Sequence, residues 1–309
     1  MSTREREDKT TTLSGAVSLI ENGSTVAIGG GPIHRHPMAM IFEIVRQKKR
    51  SLSLLGWNNS IDMDLLIGAG CVSSIETSHV GMAMLGLAVN YRRAAKTGSL
   101  KITEQLETTA IDAFRAGSQG WTFFPTKTSL EAEPTPDNES LESMECPYTG
   151  EKYALLPAFS PDVAIIHAHI SDRFGNVQLD QKRDLDNGID ALIANSARKV
   201  IVSVEQIVAE ETIKANPHLT ILPESSIDKI VEVPFGAHPN GCDYRYDYDL
   251  KFLRDYQKAC KKKPTFQAWL QKYVLEPKDH YEYLDLIGLE RLWRIQQLST
   301  RSTDPTEVH

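Results

Sequence analysis

The sequence predicts an α/β protein: an open, mostly parallel sheet with helices on both faces and a helical C-terminal extension. Short apolar runs of strand type alternate with segments of helical spacing up to residue 233. After residue 249, helical segments follow one another with no strand between them. Hydrophobic residues make up 41% of the 309 residues, which is enough for one large core. We therefore predict a single domain over residues 1–298 and a polar tail over 299–309.

The alternation starts at the N-terminus. Residues 13–22 have helical spacing, and Gly23 is a natural end for that helix. The apolar run 25–28 predicts the first strand, and Pro37 suits the first turn of a helix over 38–47. The other predicted strands are 52–55, 72–75, one around Ile102, 121–125, 163–169, 199–204 and 227–233, and the other predicted helices are 62–67, 84–96 and 106–116.

Two segments depart from this alternation. Residues 129–151 are rich in Glu, Pro and Ser, and we predict a surface insertion that forms a long loop or a disordered segment. Residues 250–298 form the helical extension, with amphipathic helices predicted over 250–260, 266–274 and 289–298. We expect this extension to pack on the outside of the sheet or against a partner.

Composition excludes several classes of function. The formal net charge is −7, from 34 basic and 41 acidic residues, which argues against non-specific nucleic-acid binding. The first residues lack the pattern of a secretory signal, and no apolar run approaches the roughly 20 residues that cross a bilayer. The four cysteines are scattered, as in reduced proteins. We therefore predict a cytoplasmic protein that binds neither nucleic acid nor membrane.

The clearest candidate for a site is the glycine turn, Gly29-Gly30-Gly31, which follows the first strand and precedes a helix. Glycines let a ligand approach the backbone closely, and free N–H groups at a helix start favour an anion or oxyanion. In open α/β sheets such ligands bind at the carboxyl ends of strands. The turn is not a dinucleotide fingerprint, because His34 stands where the last glycine is needed, and the phosphate-loop Gly-Lys-Ser/Thr is absent.

Residues 22–37 resemble the signature of family I CoA-transferases. That signature has Asp or Asn, Gly or Asn, two free positions, three apolar residues, Gly-Gly-Phe, three free positions, Gly, one free position and Pro. The sequence departs from it at Gly31, where the family usually has Phe, and at Arg35, where it usually has Gly. The segments 234–239, 246–249 and 278–284 are similar to the A subunit of enzymes of the glutaconate CoA-transferase type, so that the resemblance covers residues 12–295.

The resemblance implies a division of labour between two chains. In this family the nucleophile is a glutamate in a Ser-Glu-Asn-Gly motif of the β subunit, which carries CoA as a glutamyl thioester. The present sequence contains no Ser-Glu dipeptide, and we expect it to be too short for a fused enzyme. The resemblance therefore implies an α subunit that pairs with a β subunit, commonly as α2β2. Coenzyme A, acyl-CoA and a carboxylic acid are then substrates, and no cofactor is permanently bound.

The resemblance also suggests substrate-binding residues. In this interpretation the backbone of the glycine turn lines the acyl pocket or stabilises an oxyanion. Arg35 pairs either with the free carboxylate of a dicarboxylic substrate or with an acidic group at a surface or interface. Asn58, Asn59, Ser78 and His79 lie in strand-end loops, where they face the same cleft or serve turn formation.

Glu107 is the candidate catalytic residue of this chain. It lies at the start of a predicted helix and would act as a general base if an apolar cleft raised its pKa. The related steroid ring-opening CoA hydrolases place a working glutamate near this position. The alternative is that Glu104 or Glu107 only complements the positive end of the helix dipole.

Two histidine pairs have a spacing that metal ligands can use. His167 and His169 point to one face of a strand, which is the spacing found in metal hydrolases, and His34 and His36 have the same spacing. A persuasive third ligand is missing from the sequence, so we predict packed or hydrogen-bonded histidines and no metal.

Three hypotheses result. The first is the α subunit of a CoA-transferase for short dicarboxylic acids, and the second is a thioester or C–C hydrolase subunit on the same fold with Glu107 as base. The third is a metal-dependent hydrolase. A Ser-Glu-Asn-Gly motif in the partner favours transfer, whereas its absence, together with loss of activity in Glu107→Gln, favours hydrolysis. Protein that lacks stoichiometric metal excludes the third.

Overall fold

The computed structural model describes residues 6–128, 141–180 and 185–301 and confirms the α/β fold with a mostly parallel sheet. The strands are β1 (Thr25–Ile28), β2 (Leu52–Leu55), β3 (Val72–Thr77), β4 (Lys101–Glu104), β5 (Phe123–Thr126), β6 (Ser143–Glu145), β7 (Lys152–Pro157), β8 (Val163–Ser171), β9 (Val177–Gln178), β10 (Lys199–Ile207), β11 (Thr220–Leu222) and β12 (Lys229–Glu232).

The main sheet has the spatial order β4-β3-β2-β1-β8-β10-β12, and all of these neighbours are parallel. Strand β9 turns back antiparallel along the end of β8, and β11 pairs antiparallel with β9. Strand β1 lies in the middle of the sheet, between β2 and β8. From β1 the chain builds the sheet toward β4 on one side, and the later strands β8, β10 and β12 extend it on the other side, so the direction of strand order changes at β1. This arrangement places the glycine turn at the carboxyl edge in the middle of the sheet.

A second, smaller sheet is a correction to the sequence interpretation. The predicted strand 121–125 belongs to an antiparallel three-stranded sheet of order β5-β7-β6 and not to the main sheet. Strand β6 lies in the segment predicted as a surface insertion, whose residues 129–140 are outside the described part of the chain. Strands β6 and β7 are absent from the sequence-based prediction because neither has a long apolar run.

The helices are α1 (Leu13–Ser18), α2 (Met38–Arg46), α3 (Ile61–Gly68), α4 (Val89–Thr97), α5 (Glu107–Ser118), α6 (Leu185–Ser196), α7 (Glu210–Ala215), α8 (Leu250–Cys260), α9 (Lys263–Leu270), α10 (His280–Ile287) and α11 (Leu289–Arg301). The predicted helix 84–96 is interrupted: a 3-10 turn over Ala83–Leu85 ends at Gly86, whose φ is +90°. Helix α11 includes the start of the predicted tail, and residues 302–309 are outside the description.

The two faces of the sheet carry different helices. Val26 and Ile28 of β1 pack in one core with buried residues of α1, α2 and α3, whereas Ala27 packs with α5 and α6 on the opposite face. Buried aromatic residues of the extension, including Phe252 and Trp269, join the first of these cores. The extension therefore packs on the same face as α2. Within the described ranges, no helix is both long and apolar enough to span a bilayer.

Asp249 connects the extension to the sheet domain. One carboxylate oxygen accepts a hydrogen bond from the backbone N–H of Phe252 at 2.9 Å, which caps α8, and another from Arg291 of α11 at 2.7 Å. The second oxygen lies 3.2 Å from Nε2 of His238. Burial opposes ionisation, but His238 and Arg291 outweigh it and hold the pKa of Asp249 well below its ordinary value.

We predict that Asp249→Asn lowers the free energy of unfolding by about 2–4 kcal/mol, because it leaves Arg291 without its partner charge and weakens the cap. Chemical denaturation measures this change. The matched control is Asp255→Asn on the same helix, where an exposed pair with Lys258 predicts less than about 0.5 kcal/mol. Equal effects of the two substitutions would contradict the anchoring role of Asp249.

Candidate active site

The glycine turn folds back on its own loop. Gly30 has a φ of +99°, and a Cβ there would lie 2.7 Å from the carbonyl oxygen of His34 and 2.7 Å from the nitrogen of His36. The side chain of Trp57, in the loop after β2, donates to the carbonyl of Gly30 at 2.9 Å. Glycine is therefore required at position 30 by the approach of the loop itself.

The backbone N–H groups of the glycine turn all have partners inside the chain. Gly29 donates to the carbonyl of Ile165 at 3.0 Å, and Gly31 donates to the carbonyl of His34 at 2.8 Å. Gly30 donates to Oδ1 of Asp190 at 2.8 Å. The expectation of free N–H groups for an oxyanion is therefore wrong for these three residues. Lining of the acyl pocket by the turn stays a prediction.

Arg35 is buried, with 1% of its side chain exposed, and has a φ of +53°. Its Nη1 forms an ion pair with Oδ2 of Asp190, a fully buried carboxylate of α6. Its Nε lies 3.6 Å from Oδ2 of Asp243. The alternative for Arg35 is an ion pair at a surface or interface, and in the structure Arg35 does pair with an acidic group, but inside this chain. Nε and Nη2 are buried and have no hydrogen-bond partner, and the pairing of Arg35 with a substrate carboxylate stays a prediction.

The loops after β2 and β3 meet beside the glycine turn. Asn58 is half-buried, and its Oδ1 has no hydrogen-bond partner. Ser78 donates to the carbonyl of Trp57, and the N–H of Asn59 donates to the carbonyl of His79 at 2.9 Å. The structure therefore brings the predicted strand-end residues to one edge. The contacts of Ser78 and Asn59 are those of turn formation, and substrate binding by Asn58, Ser78 and His79 stays a prediction.

Glu107 is the first residue of α5, and its side chain is exposed. Its neighbour Leu106 is also exposed, to 55%. In the part of the chain that the structure describes, the apolar cleft expected around this carboxylate is not formed. A base role for Glu107 stays a prediction that depends on what a second chain adds at this edge.

A buried carboxylate that the sequence does not reveal is Glu205, at the end of β10. It accepts hydrogen bonds from His167 at 2.7 Å and from the hydroxyl of Tyr246 at 2.7 Å. The N–H groups of Phe235 and Gly236 donate to it at 2.7 and 3.1 Å. Burial favours the neutral acid, but these donors, with His167 first, hold the pKa of Glu205 below its ordinary value. No local pattern could identify this network, because its members are far apart along the chain.

His167, Glu205 and Cys242 offer ligand atoms within 4.8 Å of one another, a spacing that would suit a metal ion. However, Glu205 already accepts several hydrogen bonds, and burial raises the pKa of the Cys242 thiol well above its ordinary value. His167 also contacts the hydroxyl of Ser203 at 2.9 Å. These contacts favour a hydrogen-bonded network that includes His167, and the absence of a metal stays a prediction.

The family assignment comes from comparison with known proteins. A family model described as coenzyme A transferase matches residues 10–233, which include the whole main sheet and the glycine turn. The chain belongs to the coenzyme A transferase family. This confirms the resemblance seen in residues 22–37 and identifies the chain as part of an enzyme that uses coenzyme A as a substrate.

Similar members of the coenzyme A transferase family cover nearly the whole chain. The A subunit of glutaconate CoA-transferase from Acidaminococcus fermentans is 31% identical over 304 residues, which are 92% of this chain and 93% of that one. The A subunit of 3-oxoadipate CoA-transferase from Pseudomonas knackmussii is 32% identical over 268 residues, 86% and 93% of the two chains. The crystal structure of glutaconate coenzyme A-transferase from A. fermentans superposes with a TM-score of 0.86 at 29% identity, over 93% of this chain and 95% of that one.

His169, whose charge state is affected by Arg35, gives the stability of the protein a pH dependence. It is buried, and its Nδ1 accepts a hydrogen bond from the N–H of Asp180 at 2.6 Å. Burial, together with the nearby charges of Arg35 and Arg245, lowers the pKa of His169 to about 3. The pKa of His169 is lower in the folded than in the unfolded state. The contribution of His169 to the free energy of unfolding is therefore complete above about pH 6.5 and is lost as the pH falls toward 3.

We predict that wild-type protein loses about 2 kcal/mol of unfolding free energy between pH 7 and pH 5 through His169 alone. In the His169→Gln variant the free energy of unfolding changes by about 2 kcal/mol less between pH 7 and pH 5. Urea titrations at pH 7 and pH 5 measure this difference. His218→Gln, at an exposed histidine, is the control and keeps the wild-type slope. Parallel pH curves for wild type and His169→Gln would show that His169 is not held neutral.

Proposed function

We propose that this chain is the α subunit of a heteromeric CoA-transferase that moves CoA between short carboxylic acids of the glutaconate type. The observation that carries the proposal is its likeness, over nearly its full length, to the A subunits of two transferases. Both are named for short dicarboxylic acids, glutaconate and 3-oxoadipate. We therefore propose a dicarboxylic acid as one substrate of this enzyme as well.

We place the covalent chemistry on the partner subunit. The buried carboxylates nearest the glycine turn are already occupied in this chain: Asp190 binds Gly30 and Arg35, while Asp62 accepts from Asn59 and from the N–H of Ser60. A nucleophile needs a free oxygen that faces the thioester. The glutamate that carries CoA is then contributed by a β subunit, which we expect to form an α2β2 assembly with this chain.

The surface beside the site supports such a partner. Met84, Leu87 and Leu106 each expose more than half of their surface, at 61%, 52% and 55%. They belong to the segments that follow β3 and β4, as His79 and Glu107 do. Exposed apolar side chains next to polar site residues are typical of a protein interface. A cavity of about 340 Å³ lies instead at the amino edge of the sheet, lined by Asn22 and Arg198 among others.

The proposed role of this chain is to position the acyl group. The backbone of the glycine turn provides a wall without side chains. Hydrogen bonds from Trp57 to the carbonyl of Gly30 and from the N–H of Gly30 to Asp190 fix this wall. The rigid attachment of the turn to β8 and α6 fixes where an acyl group can lie, which lowers the entropic cost of the reaction. The partner's glutamate then attacks the thioester carbonyl of the bound acyl-CoA.

The test is to co-express the chain with the product of the neighbouring gene and to incubate the complex with glutaryl-CoA. We predict an added mass of one CoA on the partner and none on this chain, because the carboxylate nucleophile belongs to the partner. Intact-protein mass spectrometry measures both chains at once, and replacement of the partner's glutamate by glutamine is the control. A CoA adduct on this chain, or on neither chain, would contradict the proposal.

A further inference from the structure

Four side chains of alternating charge lead from the interior to the surface beside the glycine turn. Asp190 and Arg35 are buried, with 0% and 1% of their side chains exposed, and Arg35 pairs with Asp190. Asp243 comes next, with an oxygen 3.6 Å from Nε of Arg35, and its other oxygen lies 2.8 Å from Nδ1 of His34. Asp243 and His34 are exposed to 33% and 36%. The series therefore ends in an imidazole that a ligand can reach.

The backbone fixes His34 and Asp243 next to each other. Arg35 donates its N–H to the carbonyl of Gly241 at 2.8 Å, and Gly241 donates to Ile33 at 2.9 Å. A Cβ at position 241 would lie 3.3 Å from Nδ1 of His34 and 3.2 Å from the nitrogen of Tyr248, so glycine permits the close approach. The pairing of the two segments thus does not depend on the side-chain contact.

Asp243 itself lies in a tight turn. Cys242 and Tyr246 exchange two backbone hydrogen bonds, each 2.9 Å long, and Tyr244 between them has a φ of +64°. A non-glycine residue in this region is strained, and such strain is retained where the surrounding structure holds it. The turn presents the carboxylate of Asp243 to the loop that carries His34.

The orientation of the imidazole suits proton transfer. Nδ1 lies 2.8 Å from Oδ1 of Asp243, which leaves Nε2 as the ring nitrogen that can face a ligand. The charged groups that face His34 are Asp243, Arg35 and Asp247. Burial lowers the pKa of His34, but Asp243 outweighs burial and Arg35, and the pKa lies above its ordinary value. A histidine oriented by a carboxylate is a common general acid.

We propose that His34, oriented by Asp243, is the general acid that protonates the sulfur of CoA during transfer. As the carboxylate oxygen of the partner's glutamate bonds to the thioester carbon, the C–S bond breaks and its electron pair stays on sulfur. The sulfur takes the proton from Nε2 of His34. This first step leaves a mixed anhydride between the partner's glutamate and the acyl group. In the second step the sulfur attacks the glutamate's carbonyl carbon in that anhydride, and the neutral imidazole takes the proton back from the sulfur. The C–O bond of the anhydride breaks, and the acyl group leaves as a carboxylate.

The inference rests on the proposed function, because it assumes that the thioester lies against the glycine turn. His34 belongs to the same loop and accepts the hydrogen bond from Gly31. His34 therefore lies beside the backbone wall against which we place the acyl carbon. The sulfur leaves from that carbon, so it leaves next to His34. The sequence predicts a packed or hydrogen-bonded histidine at position 34, and Asp243 is too distant in the chain for any motif to join them.

The experiment measures the single-turnover rate of CoA transfer from glutaryl-CoA to the partner in the co-expressed complex, from pH 6 to pH 9. We predict that the wild-type rate falls as the pH rises through the pKa of His34, with a midpoint above about 6.5. His34→Gln lowers the maximal rate at pH 7 by at least about tenfold and leaves KM nearly unchanged, because it removes an acid and not a binding group.

Asp243→Asn is the second variant. Removal of the carboxylate lowers the pKa of His34, so we expect the midpoint to move to lower pH, a shift that a structural role would not produce. His218→Gln is the matched control and keeps the wild-type profile. The inference fails, and the proposed function stands, if the complex with His34→Gln transfers CoA to the partner at a rate within about threefold of wild type and with the same pH midpoint. A wild-type complex that forms no adduct overturns both.

Discussion

The buried ion pair between Arg35 and Asp190 holds the site in place. Asp190 also accepts the N–H of Gly30, so one carboxylate of α6 binds both the glycine turn and Arg35 in the same loop. Both charges are fully removed from water, and such a pair is stable only when its partners remain together. The loop after β1 therefore has one conformation, in which Gly30 and Arg35 adopt positive φ values.

A second buried carboxylate fixes the opposite side of this loop. Glu205 holds the backbone of Phe235 and Gly236, and the carbonyl of Gly236 accepts the N–H of Ala39 at the start of α2. Together the two carboxylates connect the loop after β1 with β8, β10, α6 and the segment that contains Asp243. The result is a rigid edge of backbone and aromatic surface with a histidine–carboxylate pair at its rim. That arrangement suits a chain that positions a substrate for a nucleophile from another chain.

Local patterns in the sequence predicted most of the regular structure. Apolar periodicity located β1, β2 and α8 at their observed bounds, and the signature around the glycine turn identified the family. The interior of the site could not be predicted, because its contacts join residues that are distant in the chain. Arg35 carries a charge that on average lies at the surface, and only the packing of α6 shows why it is buried. Similarly, β5 has a strand pattern, but its partner strands decide that it leaves the main sheet.

A double-mutant cycle on Arg35 and Asp190 measures whether their ion pair holds the glycine turn. The unfolding free energies of Arg35→Met, Asp190→Asn and the double variant are compared with wild type. We predict that each single change costs about 3–5 kcal/mol and that the double variant is at least about 1.5 kcal/mol more stable than additivity requires. The pair Arg115–Asp112, with side chains exposed to 46% and 18%, serves as the reference and should show a coupling below about 0.5 kcal/mol. Additive effects of Arg35→Met and Asp190→Asn would contradict this role, because they would mean that the two charges do not act together on the turn.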